Sequence, residues 1–239
     1  MRFLTARWEH LVLLNYACPR GLLEPLVPAG TELDTWDGEA LVSLVGFMFV
    51  DTRLFGVPVP FHRTFEEVNL RFYVRRHDPE LRRAVVFIRE LVPRTAIATV
   101  ARVAYNEPYL AVPMRHETSL RAEHGGTVRY GWTHLGAEFE LGARVGGAAA
   151  PPAAGSDAEF ITEHYWGYTR QRDGTTLEYQ VEHRPWDVWS ADDCWFRGPA
   201  VAQYGPHLAA ALSAAPRSAF VATGSPVVVH RGQTLGRAK

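Results

Sequence analysis

The sequence predicts a mainly β protein of the α+β class, built as an antiparallel barrel or sandwich with few short helices. Many short segments rich in β-branched and aromatic residues alternate with Gly, Pro and Asp turns. One segment alone has a clear helical period, and no Gly-rich nucleotide loop is present. We expect a single domain over 1–239, because the later strands need the earlier ones to cover them.

The first half of the chain begins with a short helix or turn at 19–27, which Pro28 and Gly30 end. Asp37-Gly38 is a hairpin signal. A loop with Gly and Pro follows at 53–62, and a charged turn is expected near Asp78-Pro79. The first predicted strand of this half, 40–50, is apolar on both faces, so we expect it to be buried on both sides. The predicted strands that follow it are 64–75, 84–91 and 96–105.

The second half continues the strand pattern with one helix. Its Gly-, Ala- and Pro-rich segment at about 142–157 lacks large apolar groups, so we expect a mobile surface loop there. A helical period at 205–215 ends before Pro216. Two predicted strands, 116–122 and 127–134, are joined through Gly125-Gly126. Two more, 160–170 and 176–184, pair about Asp173-Gly174. A last predicted strand, 225–230, closes the sheet.

Composition and charge argue against several classes of protein. The formal net charge is −1 and the pI is 6.8, whereas a nucleic-acid binder normally carries a basic stripe and a high pI. The longest apolar run near the start, 11–14, is bracketed by polar residues. We therefore expect no membrane span, no signal peptide and a cytoplasmic location. The expected partner is a small molecule, and the sequence leaves open whether the protein forms a homo-oligomer.

The inventory of reactive residues is short. Cys18 and Cys194 lie too far apart in sequence for a redox or zinc pair, and no HExxH or GxSxG motif occurs. We therefore expect no metal and no cofactor. Of the 25 basic residues, the single lysine is Lys239. A Schiff-base enzyme needs an amine in a pocket, and a P-loop needs a lysine on the phosphates, so the sequence argues against both.

The segment 65–74 is the strongest candidate for a site. As a strand, it separates an apolar face from a polar face formed by Glu67, Asn69, Arg71 and Tyr73. The Cα atoms of Glu67 and Arg71 lie about 13 Å apart at ~3.3 Å per residue, which leaves room for a small molecule across Asn69. In a barrel lumen this face would offer an acid or base, an orienting amide and an anion-binding guanidinium. The alternative is a solvated outer face of the sheet.

Two further candidates come from other predicted strands. The turn at Asp173-Gly174 brings Tyr165 and His183 to neighbouring strands, with His183 pointing inward as an acid, a base or a hydrogen-bonded core residue. Arg102 lies in the apolar segment 96–105, where an unpaired guanidinium would be costly, so it should have a partner such as Glu67. It is either half of a buried ion pair or an anion-binding residue.

The chain resembles the YqjF-like proteins, a bacterial family of undefined function. The resemblance extends from Trp8 to about Trp189 and rests on 22–30 with Asp37-Gly38, on 65–74, on Ala101-Arg102 with Pro108-Tyr109, and on 160–165 with 181–186. The family is similar to the acetoacetate decarboxylase superfamily, which implies a cone-shaped antiparallel β-barrel with a central cavity. That enzyme uses a Schiff-base lysine and a second lysine, which this chain lacks, together with a strand glutamate that Glu67 matches.

Together these observations predict a barrel that binds an organic acid or a similar polar metabolite. Arg71 or Arg102 would hold the ligand, and Asn69, Tyr73 and Tyr165 would orient it. If the protein is an enzyme, Glu67 would be the acid or base, with His183 a weaker candidate, in lysine-free lyase, hydratase or isomerase chemistry rather than Schiff-base decarboxylation. The alternative is a non-catalytic structural or interaction protein in which the same side chains form a buried polar network.

Overall fold

The computed structural model describes residues 1–77 and 80–235. The expected turn at Asp78-Pro79 and the single lysine, Lys239, lie outside the described residues. No helix among them is long and apolar enough to cross a membrane. A single turn of 3₁₀ helix covers Glu24–Leu26. The strands and helices are β1 (Arg2–Ala17), α1 (Arg20–Leu23), β2 (Glu32–Leu33), β3 (Leu41–Leu54), β4 (Val57–Pro58), β5 (Phe65–His77), β6 (Leu81–Val92), α2 (Thr95–Ala104), β7 (Tyr109–Ala111), β8 (Met114–Thr118), β9 (Gly125–His134), β10 (Ala137–Gly146), α3 (Asp157–Thr162), β11 (Trp166–Arg170), β12 (Thr176–His183), β13 (Val188–Arg197), α4 (Ala200–Leu212), β14 (Ser218–His230) and β15 (Gln233–Thr234).

Seven of these strands close into a barrel. Around the ring the order is β1, β3, β5, β6, β11, β12 and β14, and β14 pairs with β1 to complete it. All of these pairs are antiparallel except β6 with β11, which run parallel. Short β7 also pairs with β6 in parallel. The predicted mainly β barrel with few short helices is therefore confirmed, with a mixed rather than purely antiparallel sheet.

A second layer covers one side of the barrel. Strand β14 also pairs with β13, and the sheet continues through β10 and β9 to β8 at its edge. The outward side chains of the barrel, such as Leu44 and Leu70, pack in one buried cluster with Tyr130 and Trp132 of β9. The inward side chains, such as Phe47 and Phe65, belong to a separate apolar cluster in the lumen. Because side chains alternate along a strand, β3 and β5 contribute one face to the outer cluster and the other face to the lumen cluster. Residues 41–49 are all buried, as predicted.

The segment 96–105 was predicted as a strand, and this was wrong, because Thr95–Ala104 is the helix α2. The β-branched residues Ile97, Val100 and Val103 suggested a strand. Their spacing of three, however, together with alanine at 96, 98, 101 and 104, also fits a helix, and alanine favours that state most. The helix buries Ala98 completely and turns Ile97 and Val100 toward the lumen.

Other boundaries also differ from the sequence-based ones. The first part of the predicted strand 160–170 is the helix α3, whose N-cap Ser156 accepts a hydrogen bond from the backbone N–H of Glu159, and only Trp166–Arg170 is extended. Residues 142–146 lie in β10, so the loop predicted at 142–157 is shorter at both ends. The predicted helix 205–215 begins earlier, at Ala200, and is interrupted at Gly205, where φ is +76°. Strands β1, β10 and β13 were not predicted.

Candidate functional site

The barrel lumen contains a cavity of about 260 Å³. Its wall comes mainly from the inward faces of β1, β3, β5, β6 and β12, and helices α2 and α3 contribute Ile97, Val100, Ile161 and Thr162. Apolar and aromatic side chains dominate this wall, and they include Trp8, Phe47, Phe49, Phe65, Phe87, Trp166 and Trp186. A cavity with this lining suits a ligand that has an apolar body and a few polar groups.

Strand β5 contributes the central polar residues. Glu67, Asn69 and Arg71 line the cavity from alternate positions and are all buried. The Nδ2 atom of Asn69 donates to Glu67 Oε1 at 3.0 Å, and the hydroxyl of Tyr109 donates to Glu67 Oε2 at 2.9 Å. Both carboxyl oxygens of Glu67 are thus held in place, and three of the four predicted polar residues of 65–74 line the lumen.

Glu90 faces the cavity because β6 contains an extra residue. Opposite β5, Asn69 pairs with Glu90, but Arg71 pairs with Phe87, so Ile88 is additional in β6. Phe87 and Glu90 both line the cavity although they are three residues apart. Regular alternation would have placed Glu90 on the outer face. The bulge therefore adds a second carboxyl group beside Asn69.

Glu107 supplies a third buried carboxyl group, just before β7. The hydroxyl of Tyr179 donates to Glu107 Oε1 at 2.9 Å, and the hydroxyl of Thr169 donates to the same oxygen. Gly167 of β11 makes this possible, since a Cβ atom there would lie 2.2 Å from Cζ of Tyr179. Strands β11 and β12 therefore position the side chains that hold Glu107.

The three glutamates affect one another's ionisation. Burial raises the pKa of Glu67 to about 7, although the hydrogen bonds from Asn69 and Tyr109 oppose this shift. Burial also raises the pKa of Glu107 to about 7. For Glu90, burial and then repulsion from Glu107 and Glu67 hold the pKa well above its ordinary value. The cluster therefore retains protons near neutral pH and can donate or accept one.

Arg71 is a buried cation that pairs directly with no carboxylate among the described residues, although its charge opposes the rise in the pKa of Glu67. Its side chain lines the cavity, and the residue is 8% exposed. Among the residues that the structure describes, its guanidinium has neither a hydrogen-bond nor an ion-pair partner, and the Tyr73 ring centroid lies 5.8 Å from Cζ. A buried guanidinium in this state is suited to bind an anionic group.

His164 adds an imidazole to the same wall. It follows α3, lines the cavity and has a side chain that is 1% exposed. Its Nε2 atom lies 3.5 Å from Oδ2 of Asp34, which also accepts a hydrogen bond from Nε of Arg83 at 2.7 Å. Burial lowers the pKa of His164 to about 4, so the ring is neutral at physiological pH.

Two of the predicted site residues, His183 and Tyr165, pack against each other. The His183 ring lines the cavity, stacks on Trp186 at 4.3 Å between centroids, and has Nδ1 2.9 Å from the carbonyl oxygen of Arg184. Burial lowers the pKa of His183. The ring of Tyr165 packs against His183 in a tilted arrangement at 4.6 Å between centroids and its hydroxyl donates to Glu163, but Tyr165 does not line the cavity.

Tyr73 and Arg102 lie outside the cavity wall. Tyr73 is buried, and its hydroxyl shares a 2.5 Å hydrogen bond with Oγ of Ser43. Arg102 was expected in a buried strand with a partner such as Glu67, and this was wrong. It lies on the exposed face of α2, where its Nε donates to the carbonyl oxygen of Ala98 one turn earlier. The helical period turns position 102 away from the lumen that Ala101 faces.

Sequence reasoning did not select Glu90, Glu107 or His164 as site residues. Arg89 and Glu90 interrupt the otherwise apolar segment 85–92, and a carboxyl group in such a segment is a signal of a buried site. Within the described chain, no group of three or more His, Cys, Asp or Glu side chains has the arrangement of a metal site.

Comparison with known proteins places the chain in context. The profile of the DUF2071 family, described as an uncharacterized conserved protein, matches residues 5–226. The uncharacterized protein YqjF of Bacillus subtilis (strain 168) is 29% identical over 190 residues, which are 77% of this chain and 74% of that protein.

Three solved structures share the fold. An acetoacetate decarboxylase-like enzyme from Sphingomonas wittichii RW1 has a TM-score of 0.67 and 14% identity, covering 100% of this chain and 95% of that one. Acetoacetate decarboxylase from Legionella pneumophila has a TM-score of 0.66 and 13% identity, covering 98% and 87%. The enduracididine biosynthesis enzyme MppR, complexed with pyruvate, has a TM-score of 0.67 and 12% identity, covering 99% and 92%. At these identities the similarity establishes the fold, which is the one that the sequence resemblance implied.

Proposed function

The chain belongs to the DUF2071 family and has an acetoacetate decarboxylase-like fold, and from this premise we propose that it binds a small carboxylic acid in its barrel cavity. The observation that carries the proposal is the unpartnered, buried guanidinium of Arg71. A buried charge without a counter-ion is unfavourable, and a ligand carboxylate would supply the missing partner with two parallel hydrogen bonds.

The rest of the cavity favours an acid with an apolar body. Aromatic side chains from several strands line the same cavity as Arg71, and the lining residues include no lysine. MppR, which shares the fold, is described with pyruvate bound, and this supports the acid class without identifying the ligand. We do not propose Schiff-base chemistry, because the single lysine of the sequence is Lys239.

Glu67 is our candidate for proton transfer to or from the bound acid. Its carboxyl group lies in the same wall as Arg71, and a pKa of about 7 allows it to act as either acid or base near neutral pH. A lysine-free hydration, isomerisation or lyase reaction needs such a group. His183 also lines the cavity and is the second candidate.

The binding proposal is tested by thermal unfolding with small carboxylic acids. At a hundredfold excess over Kd, a ligand stabilises the native state by ~2.7 kcal/mol, which raises Tm by roughly 5 to 10 °C for a chain of this size. We expect Arg71→Gln to abolish this rise. The control Arg102→Gln changes an exposed arginine outside the cavity and should retain it. A Tm that no acid shifts would contradict the proposal.

The catalytic proposal is tested separately by exchange of substrate protons in D₂O, followed by NMR with an acid that binds. We expect the hydrogens on the carbon next to the carboxylate to exchange with solvent deuterium in the presence of the unmodified protein. In the presence of Glu67→Gln we expect no such exchange. Equal exchange with both proteins would remove Glu67 from the proton-transfer role.

The competing function is a non-catalytic protein stabilised by a buried polar network. Hydrogen bonds within the chain satisfy both carboxyl oxygens of Glu67, and this favours a structural role for that residue. In that case Glu67→Gln should lower Tm and leave the response to acids unchanged. The Arg71 site is the part of the cavity that such a network does not explain.

A further inference from the structure

Two residues of the cavity wall, Asn69 and Glu90, each have a buried side-chain oxygen without a hydrogen-bond partner among the described residues. Asn69 Nδ2 is engaged with Glu67, and Oδ1 of Asn69 is buried without a partner. Oε2 of Glu90 is likewise buried without a partner. Asn69 and Glu90 are directly opposite each other in the β5–β6 pair, so the two oxygens belong to neighbouring side chains. A ligand that provides a hydrogen-bond donor here would satisfy both.

The charge around these oxygens favours a positively charged donor. Glu67 and Glu107 lie close enough to Glu90 to repel its ionised form. An ammonium group between Asn69 and Glu90 would relieve this repulsion and supply three N–H donors, whereas a neutral hydroxyl supplies one.

The anion site and the proposed cation site are adjacent. Arg71 and Asn69 are two residues apart on the same face of β5, which places their Cα atoms about 7 Å apart. We infer that the cavity binds a zwitterionic amino acid, with the carboxylate on Arg71, the ammonium on Asn69 and Glu90, and an apolar side chain against the aromatic wall. This inference rests on the proposed binding of a carboxylic acid.

The test compares ligands that differ only at the carbon next to the carboxylate. Phenylalanine, 3-phenyllactate, phenylpyruvate and 3-phenylpropionate share one body and carry an ammonium, a hydroxyl, a carbonyl or hydrogen. Leucine with its three corresponding analogues forms a second series with a smaller body. Calorimetric Kd values for the unmodified protein are expected to be at least tenfold lower for one of the two amino acids than for its three analogues.

Two variants locate the head group. Glu90→Gln should reduce the preference for the amino acid by about tenfold while leaving the Kd of 3-phenylpropionate or 4-methylpentanoate unchanged. Arg71→Gln should weaken every member of both series. Phenethylamine, which has the ammonium and no carboxylate, should bind at least tenfold more weakly than phenylalanine.

The possible failures are distinguishable. If the analogue with a hydroxyl, a carbonyl or only hydrogen binds as tightly as its amino acid, the inference is overturned and the proposed binding of a carboxylic acid stands. If neither these compounds nor a wider panel of carboxylic acids binds, both fail. An amino-acid preference that persists in Glu90→Gln and in Asn69→Leu would move the ammonium site elsewhere in the cavity and overturn the assignment.

Discussion

Arg71 shows how a single residue can weaken the ligand-free protein and still serve the site. Its side chain is buried in the cavity wall, and its Nε atom is buried without a hydrogen-bond partner among the described residues. Such a charge costs free energy in the empty barrel, and a bound anion offsets that cost. Stability without ligand and affinity for an anion should therefore change in opposite directions when this residue is replaced.

We expect Arg71→Met to raise the free energy of unfolding of the ligand-free protein by about 1 kcal/mol or more, because an apolar side chain of similar length replaces an unpaired buried charge. Urea unfolding measures the difference. Arg102→Met, at an exposed position, should stay within about 0.5 kcal/mol of the unmodified protein. A clear loss of stability in Arg71→Met would mean that the guanidinium stabilises the empty barrel.

The pH dependence of stability should report the buried glutamates. The folded-state pKa of Glu107 is about 7, above the unfolded value of ~4.3, so the folded protein holds a proton that the unfolded chain has lost. This proton's contribution is complete below pH ~4.3 and is lost as the pH rises through 7. It makes the free energy of unfolding fall by ~1.4 kcal/mol per pH unit within that window.

We therefore expect the unfolding free energy of Glu107→Gln to fall less steeply between pH 5 and 7 than that of the unmodified protein. His164, whose pKa is lowered, gives a slope of the opposite sign below pH 6.5, but it contributes equally to both proteins. Urea titrations at several pH values give the two slopes. Parallel curves would show that Glu107 has the same pKa in the folded and unfolded chain.

The residues of β5 were the most predictable part of the site. Alternation along 65–74 separates Glu67, Asn69 and Arg71 from the apolar face, and the structure turns these three into the lumen. The same reasoning fails at Glu90, because one extra residue in β6 reverses the faces. It also overestimates Tyr73, whose hydroxyl binds Ser43 behind the cavity wall. Alternation along a strand predicts on which face of the sheet a side chain lies. It does not predict whether that side chain reaches the cavity.

At the level of elements, the β11–β12 pair illustrates how a glycine in one strand positions a buried carboxyl group through its neighbour. Gly167 leaves space for the ring of Tyr179 on the neighbouring strand, and that ring carries the hydroxyl that binds Glu107. Any side chain at position 167 would have to displace either the ring of Tyr179 or strand β11.

We expect Gly167→Ala to lower the free energy of unfolding by about 1 to 3 kcal/mol, since the added methyl group overlaps with Tyr179 and the packed barrel has little space to relax. The matched control is Gly21→Ala in α1, where a Cβ atom meets nothing within 4 Å. Thermal unfolding of both variants measures the contrast. Equal Tm values would show that the Tyr179 ring moves without cost.

The elements that were mispredicted share a cause. In α2 and α3, short helices contain enough Ile, Val, Phe or Thr to resemble strands, and in both cases the tertiary position at the barrel wall requires a helix. The long strand β1 was not predicted because both of its faces become buried toward its end, so its apolar residues do not alternate.

The whole molecule has two apolar regions with different roles. The cluster between the barrel and the second sheet is densely occupied, with Leu44 and Leu70 fully buried. The lumen cluster surrounds a cavity of about 260 Å³. We infer that the outer cluster supplies stability and that the lumen is left open for a ligand.

We expect Leu70→Ala, in the outer cluster, to lower the free energy of unfolding by about 2 to 5 kcal/mol, the range for deleting a buried leucine side chain. The affinity of the folded protein for an acid should be unchanged, because Leu70 points away from the lumen. Urea unfolding and calorimetry at low temperature measure the two quantities. A changed Kd would show that the outer cluster controls the shape of the cavity.

The barrel class was predictable from the number of short strands and from the sequence resemblance. The last strand was expected to close the sheet, but its partners were not predictable, because β14 contacts β1, β12 and β13 and no local pattern encodes partners so distant in sequence. Asn15 and Ser218, which share a hydrogen bond, are 203 positions apart.

This pairing of an early strand with a late one has a consequence for synthesis. While the ribosome is still translating residues before 218, β1 has β3 on one side and an unoccupied edge on the other. The ring closes only after β14 has left the exit tunnel, so this folding step is expected to be slow and to come late. Until then, the exposed edge of β1 is a site where chaperones can bind and where nascent chains can aggregate.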